Sequence, residues 1–301
     1  MSRAYAKARK VSSGSNRETG ITSRTQCTII RLGRRVLAVG ALFSRRYTAK
    51  AMSQKVQATL IRKVELVPEC EDRFPVYTIT FANPDNAPPA LGVRIDYGDI
   101  IKVTVPGREG GPKSYSMSGA RDGEFDITYK LYPGGLCSGY LHSLQIGDAM
   151  ECFGKSYKDR DAGAHVGMVA YGVGITECLP MAEAELRKPD AKAVSLLWAS
   201  KRYGDKFWLD KVKELEDTYP GRFFFHTILS REEREGSLQG RVDASILKRV
   251  FIDPFQDADR DTMRFLAIGT KPMMKDCYEN HLGSLGFDAS KDGGKHALLK
   301  R

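Results

Sequence analysis

The chain has 301 residues, a formal net charge of +10 and 42% hydrophobic residues. The hydrophobic content excludes a chain that is disordered throughout, and the length allows two ordinary domains and a tail. Residues 1–50 contain 12 Lys and Arg residues and one acid, Glu18. The rest of the chain is therefore close to neutral, and we do not expect a nucleic-acid-binding function.

Residues 1–50 are rich in Arg, Ser, Thr and Ala, a composition typical of organelle transit peptides. The apolar run at residues 36–43 is too short to span a bilayer. We predict a mitochondrial targeting segment that is disordered in the protein. The alternatives are a plastid signal, or a retained basic arm that binds nucleic acid or lies peripherally on anionic lipid.

The six cysteines, at positions 27, 70, 137, 152, 178 and 277, contain no C-x-x-C pair. They predict neither a zinc site nor an iron–sulfur cluster, and the five histidines are equally scattered. We expect no metal site. If the protein carries electrons, it needs an organic cofactor.

Short segments with alternating side chains and turns between them fill residues 54–157. They predict strands at residues 54–67, 74–81, 99–105, 125–132 and 148–153, with more strands in the stretch 113–148 and a short helix at 140–144. A proline-rich loop is predicted at residues 83–96. This pattern predicts a closed antiparallel barrel of six strands.

The pattern changes after residue 163. Buried strands at residues 166–171, 193–199, 222–229 and 263–268 alternate with helices at 175–187, 206–217, 242–250 and 271–285. Such alternation predicts a doubly wound parallel sheet, here over residues 163–287, with helices on both faces. The polar residues 288–301 are expected to form a loose tail.

Two polar clusters flank the strand at residues 125–132. Lys113-Ser114-Tyr115-Ser116 precedes it, and the turn from Gly134 to Ser138 follows it and opens a helix. A turn rich in Gly and Ser at the start of a helix presents free N–H groups that can hold a phosphate. The pair Lys-x-Tyr-Ser and Gly-x-Cys-Ser resembles the flavin-binding signature of the ferredoxin NADP reductase superfamily, which includes cytochrome-b5 reductase.

The resemblance implies that Tyr115 stacks on the flavin of FAD, that Ser116 bonds flavin N5, and that Gly135 and Ser138 bind its pyrophosphate. Lys113 stands where the family has Arg, so the charge is kept but the two-pronged geometry is lost. The full set of FAD contacts expected from the resemblance is Lys113, Tyr115, Ser116, Met117, Ser118, Tyr129, Lys130, Gly134, Gly135, Leu136, Cys137 and Ser138.

A second turn, Gly172-Val173-Gly174-Ile175-Thr176, lies between a strand and a helix. Paired glycines there let the backbone approach a pyrophosphate, although the third glycine of the usual fingerprint is absent. The turn resembles the nicotinamide dinucleotide turn of the same superfamily, with Glu177 in place of Pro. The segment Ile268 to Met273 resembles the family's Cys-Gly-Pro-Pro-x-Met, with Ile268 in place of Cys. The expected dinucleotide contacts are Gly172, Gly174, Ile175, Thr176, Gly269, Pro272 and Met273.

Ser200, Lys201 and Arg202 follow the second parallel strand. A hydroxyl and two cations there suit a 2′-phosphate and favour NADPH, whereas a solvated basic loop would leave NADH equally acceptable. The dinucleotide is therefore NADH or NADPH.

As a whole, the resemblance implies hydride transfer from NADH or NADPH to FAD, with Ser116 and Tyr115 as the catalytic residues. Electrons would then pass to a haem or iron–sulfur protein. The alternative is a reductase-like accessory subunit of an organellar complex with weakened turnover, because Lys113, Glu177 and Ile268 all depart from the family inside the ligand motifs.

Overall fold

The computed structural model describes residues 54–82, 93–95, 98–121, 123–155, 163–290 and 294–299. The predicted targeting segment at residues 1–50 lies outside these ranges, as does most of the loop predicted at residues 83–96. Among the described residues, no helix has the length and apolar character needed to cross a membrane.

The first half of the described chain forms a closed barrel of six antiparallel strands. Around the barrel the strands follow the order β1-β2-β5-β4-β3-β6, and β6 pairs back with β1. The predicted six-stranded barrel is confirmed. The strands are β1 (Val56–Val67), β2 (Val76–Ala82), β3 (Ile100–Val103), β4 (Lys113–Arg121), β5 (Glu124–Lys130) and β6 (Ala149–Lys155).

The inward-facing side chains of the alternating strands fill the barrel. Leu60, Ile79 and Ile127 are fully buried in this core, and burying each such side chain stabilises the fold by about 1.5–3 kcal/mol. Helix α1 (Leu136–Ser143) lies between β5 and β6 and adds the buried Leu141 to the same core. It begins four residues before the predicted helix, directly after the turn at Gly134, whose φ is +67°.

The second half forms a five-stranded parallel sheet with the order β10-β9-β8-β7-β11. Its strands are β7 (His165–Tyr171), β8 (Ala193–Ser200), β9 (Phe223–Leu229), β10 (Leu238–Gln239) and β11 (Met263–Ile268). The predicted doubly wound sheet is confirmed, and the short edge strand β10 is an addition that the sequence pattern did not predict.

Helices cover both faces of the parallel sheet. Helices α2 (Ile175–Leu186) and α3 (Leu209–Thr218) pack on one face, where Met168 and Trp198 lie in the core. The other face is covered by α4 (Ala244–Leu247), α5 (Lys271–Lys275) and the π-helical segments that continue them, Lys248–Ile252 and Asp276–Leu282. Helix α3 begins three residues later than predicted, because Trp208 has a left-handed backbone (φ 58°) and the residues before it are not helical.

The end of the chain differs from the loose tail that its composition predicts. The N–H of Phe265 donates to the carbonyl of His296 over 2.8 Å, and the N–H of Leu298 donates to the carbonyl of Phe265 over 3.0 Å. Leu298 and Leu299 are buried in the core on the α2 face of the sheet. The expectation of a loose tail is therefore wrong for residues 294–299, because a short apolar run pairs with the edge strand β11.

Candidate functional site

Ser116 on β4 connects the barrel to the parallel-sheet domain. Its hydroxyl donates a 2.7 Å hydrogen bond to the carboxylate of Glu177 in the first turn of α2. Successive residues of a strand point to opposite faces, so Ser116 faces α2 while Met117 lies in the barrel core. The strand of the predicted flavin motif and the helix that follows the predicted dinucleotide turn therefore meet at a direct polar contact.

Glu177 lies in a confined space between the two domains. It is 5% exposed, and a Cβ added at Gly98 would lie 3.0 Å from its carboxylate Oε1 and 3.0 Å from the sulfur of Met181. Gly98 also has φ +64°, a conformation that favours glycine. The Glu177 carboxylate, which stands where the family has Pro, thus points towards Ser116 in the barrel.

Tyr115 lies on the opposite face of β4 from Ser116. It is half-buried and packs against the barrel core. Burial raises the pKa of its phenol, Cys137 in the first turn of α1 raises it further, and the Arg108 cation acts in the opposite direction. Tyr115 therefore lies between the predicted phosphate turn and the loop that joins β3 to β4.

The turn before α1 is held by its own backbone and side chains. The N–H of Tyr132 donates to the Ser138 hydroxyl over 3.2 Å, and this hydroxyl donates to the carbonyl of Gly135 over 3.3 Å. The first helical bond runs from the N–H of Gly139 to Gly135. The N–H groups of the three residues Leu136, Cys137 and Ser138 thus have no acceptor within the helix, as at every helix start, and they suit a phosphate.

Four cations of the barrel lie near one another. Burial lowers the pKa of Lys102, and the neighbouring cations of Lys155, Arg108 and Lys113 lower it further. The Nη1 atom of Arg108 is buried and has no hydrogen-bond partner in the part of the chain that the structure describes. Because an unpaired buried donor is costly, this atom suits an anionic acceptor such as a phosphate. The residues present therefore fit the pyrophosphate of FAD.

Several residues predicted to contact FAD have their side chains within the fold. Met117 and Tyr129 are buried in the barrel core, and Tyr129 stacks on Tyr77 at 5.9 Å between ring centroids. The buried Ser118 hydroxyl accepts a hydrogen bond from Thr128 over 2.8 Å. These three side chains face packed neighbours. Lys113, Gly134 and Leu136 are exposed, and Gly135, Cys137 and Lys130 are half-buried.

The dinucleotide turn is held by hydrogen bonds and close packing. The carbonyl of Gly172 accepts a 2.8 Å hydrogen bond from the indole of the fully buried Trp198, and Thr176 donates to the carbonyl of Val173 over 2.9 Å. A Cβ at Gly174 would lie 2.3 Å from the carbonyl oxygen of Ile268, so only glycine allows this approach. Ile175, predicted to contact the dinucleotide, is fully buried in the core.

The later segment lies beside this turn, at the carboxyl ends of the neighbouring strands β7 and β11. A Cβ at Gly269 would lie 2.8 Å from the Tyr171 ring. Pro272 and Met273 are exposed in α5. Ligands of open parallel sheets bind at the carboxyl ends of the strands, and the Gly172–Gly174 turn at that end also contacts β5 of the barrel.

The basic loop after β8 contacts the barrel domain. The guanidinium of Arg202 contacts the carboxylate of Asp72, in the connection between β1 and β2, at 2.9 Å. The Ser200 hydroxyl donates to the carbonyl of Arg202 over 3.0 Å. Burial lowers the pKa of Lys130, which lies near Asp205 and Lys201. The predicted 2′-phosphate residues are thus in contact with the barrel.

Two family models match the two halves of this architecture. An oxidoreductase FAD-binding domain matches residues 85–158, and an oxidoreductase NAD-binding domain matches residues 168–279. The chain belongs to the ferredoxin reductase-like superfamily. In this superfamily member, the matches assign FAD to the barrel and a nicotinamide dinucleotide to the parallel-sheet domain.

Curated relatives agree with this membership. NADH-cytochrome b5 reductase 1 of Mycosarcoma maydis is 28% identical over 204 residues, which cover 64% of this chain and 61% of that protein. NADH-cytochrome b5 reductase 1 of Dictyostelium discoideum is 28% identical over 215 residues, covering 70% of this chain and 73% of that protein. This member of the superfamily thus spans less than two thirds of the first relative.

Solved structures share the fold. The cytochrome b5 reductase domain of Ulva prolifera nitrate reductase matches 81% of this chain and 96% of its own, with a TM-score of 0.63 and 20% identity. A ferredoxin NADP+ reductase from Neisseria gonorrhoeae with bound FAD and NADP matches 82% of this chain and 98% of its own, with a TM-score of 0.62 and 16% identity. At these identities the likeness shows the two-domain architecture of the superfamily.

Three parts of the site were not predicted from the sequence: the bond between Ser116 and Glu177, the contact between Asp72 and Arg202, and the buried Nη1 atom of Arg108. Arg108 follows a Pro-Gly pair and lies five residues before Lys113. A Pro-Gly pair is a turn signal, so the sequence could have indicated that the Arg108 side chain lies near the motif. No local signal indicates Asp72 or the direction of the Glu177 side chain.

Proposed function

We propose that this chain is an FAD-dependent reductase that oxidises NADH or NADPH and passes electrons to a haem or iron–sulfur protein. The proposal is supported by the paired FAD-binding and NAD-binding family models. It is also supported by relatives that are named NADH-cytochrome b5 reductases. FAD, when bound, supplies a hydride acceptor that can release its electrons one at a time.

The observation that carries the proposal is the contact between Ser116 and Glu177. It joins the strand of the flavin motif to the helix that starts at the dinucleotide turn, 61 residues later in the chain. Reaction between two bound groups requires that the elements holding them meet in a fixed geometry. The hydrogen bond joins β4 to α2, and the Gly172–Gly174 turn contacts β5. These two contacts support the proposal, because they bring the two predicted binding motifs together.

The residues of the chain would divide the work of binding and orientation. Arg108, Lys113 and the first N–H groups of α1 would hold the FAD pyrophosphate. The Gly172–Gly174 turn would hold the pyrophosphate of the dinucleotide. Glu177 would hold the hydroxyl hydrogen of Ser116, so that the Ser116 oxygen keeps a fixed orientation and a free lone pair.

The test uses the purified full chain supplied with FAD. We expect a yellow protein whose flavin absorbance is bleached on anaerobic mixing with NADH or NADPH and restored by ferricyanide. A chain that is folded by circular dichroism but takes up no FAD would contradict the proposal. Cytochrome b5 and a plant-type ferredoxin, each added as acceptor, then distinguish the haem from the iron–sulfur alternative.

A second candidate function is that of an accessory subunit in an organellar complex that has lost turnover. It is favoured by Lys113, Glu177 and Ile268, which depart from the family inside the ligand motifs. FAD binding without any bleaching by either dinucleotide would support this candidate. Rapid bleaching would reject it.

We propose a mitochondrial location, supported by the basic, acid-poor composition of residues 1–50. The measurement is N-terminal sequencing of the protein recovered from fractionated cells. A mature protein that is found in mitochondria and starts near residue 48 supports the proposal. Recovery from plastids, or of an intact arm from the cytosol, contradicts it.

A further inference from the structure

A carboxylate from the barrel lies among the cations at the carboxyl end of the parallel sheet. Asp72 accepts hydrogen bonds from Arg202 Nη2 at 2.9 Å and Nε at 3.2 Å. Arg231 Nη1 lies 3.7 Å from the same carboxylate. Lys201 Nζ donates to the backbone carbonyl of Asp72 at 3.4 Å. Three cations from the ends of β8 and β9 thus converge on one residue of the other domain.

Two other acids near this loop are bound differently. Asp205 accepts from the backbone N–H of Arg202 over 2.9 Å, and Glu232 accepts from the backbone N–H of Tyr203 over 2.7 Å. Among the described residues, the carboxylate that the Arg202 guanidinium contacts is that of Asp72. Hydrogen bonds from Arg202 hold the pKa of Asp72 below its ordinary value, so the carboxylate is ionised at neutral pH.

The position of this cluster matters for the dinucleotide. Strand β8 pairs with β7, whose carboxyl end carries the Gly172–Gly174 turn, and β9 pairs with β8 on the other side. In doubly wound sheets the pyrophosphate lies at the first turn, and the adenosine ribose lies over the end of the next strand. The residues after β8, Lys201 and Arg202, therefore lie where a 2′-phosphate would be recognised.

We propose that Asp72 makes this site select NADH against NADPH. The inference rests on the proposed function as a nicotinamide-dinucleotide-dependent reductase and adds the substrate preference of the same site. The carboxylate already fills the anion position beside Arg202, and it repels the dianionic 2′-phosphate that would have to replace it. A ribose with a free 2′-hydroxyl brings no charge and needs no such replacement.

The test compares four forms of the full chain, loaded with FAD: the wild type, Asp72→Asn, Asp72→Glu and Glu71→Gln. Asp72→Asn removes the charge with little change of shape, and Asp72→Glu keeps the charge. Glu71 is the matched control, because it is the exposed acidic neighbour of Asp72. The readouts are kcat/KM for NADH and NADPH, and the calorimetric affinities for AMP and for 2′-phospho-AMP.

We expect the wild type and the Glu71→Gln form to favour NADH and to bind AMP at least as tightly as 2′-phospho-AMP. In Asp72→Asn the ratio of NADPH to NADH use should rise by about tenfold or more, the effect of one charge-assisted hydrogen bond to a phosphate. The affinity for 2′-phospho-AMP should rise in parallel. Asp72→Glu should retain the preference of the wild type.

Three results would overturn the inference. One is a wild type that binds 2′-phospho-AMP much more tightly than AMP, a measurement that needs no variant. The second is a ratio of NADPH to NADH use that is unchanged in Asp72→Asn. The third is a rise of this ratio in Glu71→Gln that equals the rise in Asp72→Asn. If the wild type reduces its flavin with neither dinucleotide, the proposed function fails. If the wild type reduces its flavin with NADH, but the ratio of NADPH to NADH use is the same in the wild type and in Asp72→Asn, the inference alone fails.

Discussion

Ser116 and Glu177 form a hydrogen bond of 2.7 Å between the barrel strand β4 and the helix α2 of the parallel-sheet domain. Glu177 is almost fully buried, so this carboxylate depends on protein donors in place of water. The bond therefore has two consequences that can be measured separately. One concerns the stability of the domain arrangement, and the other concerns the orientation of the Ser116 hydroxyl.

For stability, we expect Glu177→Ala to lower the free energy of unfolding by about 1–3 kcal/mol, because it removes the charge-assisted hydrogen bond from the half-buried Ser116 hydroxyl. Glu177→Gln keeps an acceptor oxygen and should cost less. Guanidinium denaturation provides the measurement. The control is Glu183→Ala on the same helix, which breaks a partly exposed pair with Arg187 and should change little. Equal losses for Glu177→Ala and the control would contradict the expectation.

For kinetics, Ser116→Ala should slow flavin reduction by a factor on the order of ten, the usual loss for one positioned proton or hydrogen-bond group. Anaerobic stopped-flow mixing with NADH provides the rate. Ser114→Ala is the matched control, since Ser114 lies two residues earlier on the same face of β4 and is exposed. Reduction at the rate of the control would remove Ser116 from the reaction.

Arg108→Ala should weaken FAD binding by about 10- to 100-fold, because the buried Nη1 of Arg108 has no acceptor among the described residues and a hydrogen bond to a charged group contributes about 1.5–3 kcal/mol. Quenching of flavin fluorescence gives the dissociation constant. The affinity for riboflavin, which has no phosphate, should change little. Arg62→Ala on the barrel exterior is the control, and an unchanged FAD affinity in Arg108→Ala would refute the assignment.

Lys206 should make stability rise with pH above neutrality. Burial lowers the pKa of this lysine to about 7, and its ammonium lies 4.4 Å from the centre of the Trp198 ring. Between about pH 7 and its unfolded pKa of about 10.4, the unfolded chain binds the extra proton, so raising the pH favours the folded state. The slope is at most about 1.4 kcal/mol per pH unit.

The measurement for Lys206 is urea denaturation of the wild type and of Lys206→Met across this pH window. The methionine keeps the apolar stem and removes the charge, so the slope should flatten. Lys213→Met, an exposed lysine on α3 paired with Asp217, should keep the slope of the wild type. A parallel slope in wild type and Lys206→Met would show that Lys206 titrates normally in the folded protein.

Leu298 should be a stability determinant although it lies three residues before the end of the chain. It is fully buried, and Leu→Ala changes at such sites cost about 2–5 kcal/mol. Thermal and guanidinium unfolding of Leu298→Ala should show this loss. Lys295→Ala, which breaks an exposed ion pair with Asp261, should cost less than about 1 kcal/mol. A Leu298→Ala chain as stable as the wild type would mean that the terminal segment is not docked.

The sequence alone determined the architecture and the motifs. Strands show an alternation of apolar and polar side chains, as in residues 125–132. After residue 163, strands and helices alternate along the chain. Both patterns depend on which side chains of a short segment face the core, so they can be recognised in the local sequence. The glycine turns at Gly134 and Gly172 were also visible, because a tight turn beside a phosphate admits few residue types. The helix ends and the buried terminal segment depended on contacts with distant residues and were predicted less well.

Only the tertiary structure decided which polar and charged side chains contact each other. Ser116 and Glu177 are 61 positions apart, and Asp72 and Arg202 are 130 positions apart. Each pair forms because the barrel contacts the parallel-sheet domain at the carboxyl ends of its strands and at the start of α2. No periodicity or spacing carries that docking geometry, because it follows from the packing of whole surfaces. The sequence therefore predicts where the two cofactors bind, while the fold shows which side chains of the two domains are paired.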